Sequence, residues 1–127
     1  MKKLVFLFSV ITTFILVGCS GSDMYLGTWK ATDNQGNKFD ITFDKNKFDV
    51  KDTAGKLTTY NYSQNAVKIS NGVKSYGIKL DDGRTYQILF PVVDNTKVAI
   101  ISLESGEPLY TISRDNYITY DEIYKLQ

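Results

Sequence analysis

Residues 38–52 read KFDITFDKNKFDVKD, and this stretch decides the fold. Apolar residues at positions 39, 41 and 43 alternate with polar ones, and those at positions 48 and 50 do the same. A period of two is typical of a strand with one buried and one solvent-exposed face. The intervening Asp44-Lys45-Asn46 has the composition of a turn. The stretch therefore predicts a β-hairpin formed by Lys38–Phe43 and Lys47–Asp52.

The same alternation continues on both sides of this hairpin, with turn residues about every eight to twelve positions. It predicts further strands at residues 25–32, 56–63, 66–70, 73–80, 84–90, 97–103 and 108–114. Gln64-Asn65 is predicted to be a turn. Asn71-Gly72 is predicted to be a type I′ turn, because both central residues of that turn need positive φ. Thr119-Tyr120-Asp121-Glu122 matches a capping box, which predicts a short C-terminal helix.

These strands follow one another through short connections, without crossover helices. An open meander of this length would leave edges free to pair with other chains, and closure removes them. The sequence therefore predicts an all-β domain, a small antiparallel up-and-down barrel of eight or nine strands with a short C-terminal helix. A two-sheet sandwich is the alternative architecture.

The amino-terminal region has the pattern of a signal peptide. Two lysines precede an apolar run from Leu4 to Val17, which is too short for a spanning helix. The run ends in Leu16-Val17-Gly18-Cys19, and Cys19 is the one cysteine of the chain. Leu-Val-Gly-Cys resembles the bacterial lipobox. The resemblance implies diacylglycerol on the Cys19 sulfur, cleavage after Gly18 and acylation, for example with palmitate, of the new amino terminus. Ordinary cleavage that leaves a free thiol is the alternative.

This interpretation divides the chain into a signal peptide (1–18), a lipidated tether (19–24) and a barrel domain (25–127). Tyr25 is the sixth residue after Cys19, so the tether spans at most about 20 Å and would hold the domain close to the membrane. The expected location is the bacterial cell envelope. Lipoproteins with aspartate after the lipidated cysteine commonly stay in the inner membrane of Gram-negative bacteria. Ser20 occupies that position here, so the resemblance implies the outer membrane if the organism has one.

The composition argues against several classes of function. The chain has 15 basic and 14 acidic side chains, and loss of Lys2 and Lys3 with the signal peptide leaves 13 against 14. Such a balance lacks the electrostatic footprint of a nucleic-acid binder. There is no histidine, and Cys19 is committed to lipid, so neither a catalytic triad nor the usual zinc site can be assembled. The paired carboxylates Asp81-Asp82 and Glu104/Glu107 lie in turn sequences. We therefore expect no enzymatic activity, no cofactor and no metal.

Gly27 and Trp29 lie on the first predicted strand, and Arg114 ends the last one. This arrangement resembles that of the calycins, the group of lipocalins and fatty-acid-binding proteins. The resemblance implies structural roles for all three residues. The tryptophan would plug the closed end of the barrel, and the guanidinium would stack over the indole in a cation–π contact of about 0.5–2 kcal/mol.

Five tyrosines recur at alternating positions of the predicted strands: Tyr60, Tyr62, Tyr76, Tyr86 and Tyr110. If their rings face one interior, they would line a cavity suited to a small amphipathic or aromatic ligand. The alternative is that tyrosine is simply a favourable residue on a half-buried sheet.

Two functional hypotheses follow. The first is a calycin-like envelope module that binds a small apolar ligand or lipid. The second is an envelope protein that blocks another protein, as an inhibitor, immunity or exclusion lipoprotein. Lipid-anchored inhibitors of host lysozyme belong to that class, and Gly83-Arg84-Thr85-Tyr86 is the nearest local string to their binding loop. A large cavity would favour the first hypothesis, and a solid core with an exposed aromatic patch at one rim would favour the second.

Overall fold

The computed structural model describes residues 23–126, which form one closed antiparallel barrel and a short helix. Each strand pairs with its neighbour in sequence, and the first strand pairs with the last to close the barrel. This confirms the predicted all-β up-and-down architecture. The predicted signal peptide, Cys19 and most of the predicted tether lie outside the described residues. The strands are β1 (Gly27–Asp33), β2 (Lys38–Phe43), β3 (Lys47–Asp52), β4 (Leu57–Ser70), β5 (Val73–Leu80), β6 (Thr85–Phe90), β7 (Val98–Leu103) and β8 (Pro108–Ser113), and the helix is α1 (Tyr120–Tyr124).

The register of the strands defines two different ends of the barrel. Gly27 lies opposite Phe43, and Val98 lies opposite Ser113. The start of β1, the turns after β2 and β4, the β6–β7 loop and the end of β8 therefore share one end, which we call the closed end. The turns after β1, β3, β5 and β7 share the opposite end, which we call the open rim.

Inward-facing side chains from all eight strands form one hydrophobic core. Trp29, Ile41 and Ile78 are completely buried in it. Aromatic rings pack directly against one another: the ring centroids of Phe43 and Phe48 lie 5.0 Å apart, and those of Phe43 and Tyr25 lie 5.5 Å apart. Edge-to-face and offset contacts of this kind add to the stabilisation from area burial. In the half of the barrel nearest the closed end, side chains therefore occupy the interior.

Strand β4 corrects one prediction. The sequence predicted two strands, 56–63 and 66–70, with a turn at Gln64-Asn65, but β4 is one strand of 14 residues. The register with β5 shifts between Gln64 and Ala66, so the strand continues through Asn65 with a β-bulge instead of a turn. Gly77 lies opposite, where an added Cβ would be only 2.8 Å from the Asn65 side-chain oxygen. A glycine in the neighbouring strand thus leaves room for the bulge.

Two smaller features of the fold concern turns and strand ends. The first strand begins at Gly27 rather than at the predicted Tyr25, because the chain enters the barrel as a loop that crosses its closed end. Asn71 and Gly72 have φ values of 54° and 82°, as the predicted type I′ turn requires.

Helix α1 packs on the outside of the barrel. Thr119 caps it, and its side chain and that of Glu122 form the reciprocal bonds of a capping box. Ile123 is completely buried in a second cluster with Ile118 and outward-facing residues of β7 and the preceding loop. The part of the chain that the structure describes contains no helix that is long and apolar enough to cross a bilayer.

Candidate functional site

The residues predicted to be structural meet at the closed end. The Arg114 guanidinium carbon lies 3.8 Å from the centroid of the Trp29 ring. The same guanidinium donates hydrogen bonds to the carbonyl oxygens of Thr28 (3.1 Å), Met24 (3.2 Å) and Leu26 (2.7 Å). Burial lowers the pKa of Arg114, which still leaves it cationic at neutral pH. The side chain at the end of the last strand thus holds the entering chain against the indole.

Gly27 makes this arrangement possible. Its φ is +101°, a conformation that side chains disfavour, and an added Cβ would lie 2.9 Å from Arg114 Nη1. Trp29 completes the plug by donating a 2.8 Å hydrogen bond from Nε1 to the Tyr25 carbonyl. The entering backbone and these side chains therefore cover the closed end of the barrel.

The five predicted site tyrosines all face the barrel interior, but they fall into two groups. Tyr62 and Tyr76 are buried in the core together with Tyr25. Tyr60, Tyr86 and Tyr110 are only partly buried and pack against the core from the side of the open rim. The structure therefore does not bring all five into one lining.

The buried group consists of core residues with satisfied hydroxyls. Tyr62 donates to the Asp44 carbonyl, and Tyr25 donates to Gln64 Oε1 at 2.7 Å. The Tyr76 hydroxyl lies 3.5 Å from the Met24 sulfur. Burial raises the pKa of both Tyr25 and Tyr62, so these phenols are neutral at physiological pH. Their hydroxyls hold the closed end together and are not available to a ligand.

The three partly buried tyrosines form the candidate site together with Phe39 and Arg84. We call this set of residues the tyrosine rim: Tyr60, Tyr86, Tyr110, Phe39 and Arg84. Tyr110 and Phe39 make an edge-to-face contact at 5.5 Å between centroids. The Arg84 guanidinium carbon lies 5.3 Å from the Tyr60 ring centroid and 5.8 Å from that of Tyr86. One cation therefore lies over two aromatic rings at the edge of the barrel.

Arg84 is oriented by its neighbours. Its Nη2 and Nε donate to the Asp82 carboxylate at 2.6 and 2.9 Å, and its Nη1 donates to the Tyr86 hydroxyl at 3.0 Å. The hydrogen bonds with Arg84 lower the pKa of Asp82. Burial raises the pKa of Tyr110, and the nearby phenols of Tyr60 and Tyr86 add to this effect. The tyrosine rim thus places three phenol rings beside one oriented guanidinium.

A groove of about 450 Å³ adjoins the tyrosine rim between the turns that follow β1 and β3. Phe39 is its aromatic wall, and polar side chains and backbone form most of the rest. The residues that line it are Gly36, Asn37, Lys38, Phe39, Asp52, Thr53 and Ala54.

Sequence reasoning had named the three rim tyrosines but neither Phe39 nor the role of Arg84. The sequence pattern places Phe39 on the buried face of its strand and gives no partner for its ring. In the closed barrel, β2 and β8 both pair with β1, and this brings Phe39 into contact with Tyr110. Arg84 was named only within a local string. The sequence does contain a signal that Arg84 lies beside Tyr86. The two residues are two positions apart in the predicted strand 84–90, and residues at i and i+2 of a strand share one face.

The tyrosine rim presents aromatic rings and one guanidinium at the edge of the barrel. Within residues 23–126, no group of three or more acidic, histidine or cysteine side chains is placed to hold a metal ion. Comparison of the chain with models of known protein families, with curated proteins and with solved structures gave no match. Function is therefore inferred from the geometry of the site.

Proposed function

We propose that the protein is a non-catalytic binding module of the bacterial envelope, anchored by lipid on Cys19, which binds a partner protein through its tyrosine rim. The observation that carries this proposal is an aromatic surface at the open rim of a barrel whose core is packed with side chains. The two tyrosines that would have lined a deep pocket, Tyr62 and Tyr76, are buried in the core instead. A small ligand is normally enclosed by a cavity, whereas a protein partner requires only a surface.

The residue types of the tyrosine rim support the same proposal. Tyrosine and arginine are enriched among the residues that dominate the energy of protein interfaces. Arg84 is already oriented by Asp82 and Tyr86, so its immobilisation on binding has a reduced entropic cost. An inhibitor, an immunity protein or an exclusion factor acts through such a surface.

The lipid anchor is supported by the Leu16-Val17-Gly18-Cys19 string and by the position of the domain. Residue 23 is the first that the structure describes, and it is only four residues from Cys19. Replacing Cys19 by Ser is expected to leave the fold intact and to release the protein from membrane fractions. Recovery of the Cys19→Ser protein in the membrane pellet would contradict the anchor.

The binding role is tested by cross-linking the full chain in its host, purifying it from membranes and identifying bound proteins by mass spectrometry. Tyr86→Ala combined with Arg84→Ala is expected to lose the bound protein. Tyr120→Ala, on the exposed side of α1, is the matched control and should retain it. Equal capture by both variants would rule out the tyrosine rim as the binding surface.

A second candidate function is binding of a small apolar ligand or lipid at the rim itself. The groove of about 450 Å³ beside Phe39 favours it, because this volume lies in the range of small-molecule sites. Native mass spectrometry of the protein purified from its host distinguishes the two functions. A co-purifying small molecule that is lost on Phe39→Ala would support this candidate over a protein partner.

A further inference from the structure

Most exposed apolar side chains of the domain lie at the end from which the anchored chain emerges. Seven large apolar or aromatic residues are exposed among residues 23–126. Four of them, each more than half exposed, form what we call the anchor-side patch: Val67, Ile69, Val93 and Leu126. Tyr120 and Tyr124 lie beside it on α1, and Leu57 alone lies at the open rim.

The members of the anchor-side patch come together from three parts of the chain. Ile69 lies just before the tip of the β4–β5 hairpin, and Val93 packs on that tip, with its Cγ1 3.1 Å from where a Cβ at Gly72 would be. Leu126 and Val93 line the same cavity of about 220 Å³. Val93 thus connects the tip of the β4–β5 hairpin with Leu126, and all four apolar side chains lie at the closed end.

The register of β4 explains why these side chains are exposed. β3 pairs only with residues 57–61 of β4, and β5 pairs with Tyr62 onward. The last part of β4 therefore extends past Lys47, the first residue of β3. Val67 lies opposite the inward-facing Tyr76, yet it is exposed because no strand continues in front of it.

Met24, in the segment that leads into β1, lies beside this surface. The sulfur of Met24 contacts the hydroxyl of Tyr76, which is the cross-strand partner of Val67. Asp23 is the fourth residue after Cys19, so the two are at most about 14 Å apart when the chain is fully extended. A lipid on Cys19 would therefore hold the closed end, rather than the open rim, next to the bilayer.

We propose that the anchor-side patch lies directly on the lipid surface and orients the barrel with its tyrosine rim pointing away from the membrane. This inference rests on the proposed lipid anchor. Apolar side chains that would be costly in water gain from burial at the acyl boundary, and tyrosines such as Tyr120 and Tyr124 are favoured at the headgroup level. The orientation leaves the tyrosine rim free to meet a partner.

The test uses the full lipidated chain, in which the Cys19 sulfur is blocked, so that one introduced cysteine is the sole free thiol. Ile69→Cys, Val93→Cys and the control Leu57→Cys are each labelled with an environment-sensitive fluorophore. The proteins are reconstituted into vesicles of phosphatidylethanolamine and phosphatidylglycerol. All three sites are exposed, so the labels do not disturb the core.

Labels at positions 69 and 93 are expected to be quenched by lipid-borne nitroxide and protected from aqueous iodide by roughly twofold or more relative to position 57. Equal iodide quenching at all three positions in protein that floats with the vesicles would overturn this inference and leave the anchor intact. Selective protection of position 57 would also overturn it. Protein that carries no lipid and does not float would refute the anchor and this inference together.

Discussion

At the scale of single residues, the closed end depends on Arg114. Its guanidinium stacks on Trp29 and donates to three carbonyl oxygens of the entering chain, two of which, those of Met24 and Leu26, lie before β1. Because Met24 and Leu26 lie before β1, their carbonyl oxygens are not part of a strand pairing. Arg114 supplies the hydrogen-bond donors that a neighbouring strand would otherwise provide. One side chain thus links the end of β8 to the segment that leads into β1.

Replacing Arg114 by Met is expected to lower the free energy of unfolding by about 2 kcal/mol, because three charge-assisted hydrogen bonds and a cation–π contact are lost while the apolar stem is kept. Urea unfolding monitored by Trp29 fluorescence measures the change. Arg84→Met is the matched control at the exposed rim and should cost less than about 0.5 kcal/mol. A loss at Arg114 no greater than at Arg84 would contradict the assigned role.

Gly27 offers a second residue-level prediction with a close control. Gly27 and Gly106 have nearly the same φ, +101° and +102°, but an added Cβ at Gly106 meets open space whereas one at Gly27 approaches Arg114. Gly106→Ala is therefore expected to lower the free energy of unfolding by about 1 kcal/mol through backbone strain alone. Gly27→Ala is expected to cost at least about 1 kcal/mol more in urea unfolding, because the guanidinium must also shift. Equal losses would mean that the guanidinium moves freely.

At the scale of elements, α1 is too short to be stable by its own propensity and depends on docking. The capping box at Thr119 sets where it begins, and Ile123 fixes it to the outer face of β7 and β8. Tyr117 extends this cover toward β2, where its hydroxyl donates a 2.7 Å hydrogen bond to Asp40. The C-terminal segment is thus an outer layer on one side of the barrel.

Ile123→Ala is expected to destabilise the domain by about 2–4 kcal/mol, since a completely buried isoleucine leaves a cavity when truncated. Leu126→Ala, three residues later and half exposed, is the control and should change the free energy of unfolding by less than about 0.5 kcal/mol. Thermal or urea unfolding of both variants measures the difference. If Ile123→Ala matches Leu126→Ala, α1 is not an integral part of the folded unit.

At the scale of the whole molecule, buried phenols couple stability to alkaline pH. Burial raises the pKa of Tyr25, Tyr62 and Tyr110, whereas an unfolded tyrosine ionises near pH 10. A group whose folded pKa is raised contributes stability below its unfolded pKa and loses that contribution as pH rises toward the folded value. The barrel should therefore be most stable below the ionisation range of free tyrosine.

The free energy of unfolding is expected to be nearly constant between about pH 7 and 9 and to fall steeply above about pH 10. Urea titrations at each pH, with tyrosinate absorbance followed in parallel, measure both the stability and the ionisation. Tyr62→Phe removes one of the coupled groups and should make the fall shallower. Stability that is unchanged above pH 11 would contradict the linkage.

The barrel also places the tyrosine rim and the anchor-side patch at opposite ends. The tyrosine rim lies at the open end with Arg84, and the anchor-side patch lies at the closed end with the amino terminus. Antiparallel up-and-down topology puts these ends at opposite edges of every strand. A domain held by one end can therefore present the other to a partner.

The sequence by itself determined the strands, most of the turns, the barrel class and the capped helix, because these depend on local periodicity and on residues such as Asn71 and Gly72. The tertiary structure alone decided how far each strand pairs. Continuity through Gln64-Asn65 required Gly77 on the neighbouring strand, and the exposure of Val67 required β3 to begin only at Lys47, opposite Asn61. Likewise, only the packed barrel separated Tyr62 and Tyr76 from the tyrosines of the rim. Alternation tells which face a side chain occupies, but its depth along the barrel depends on strand stagger, which no local pattern encodes.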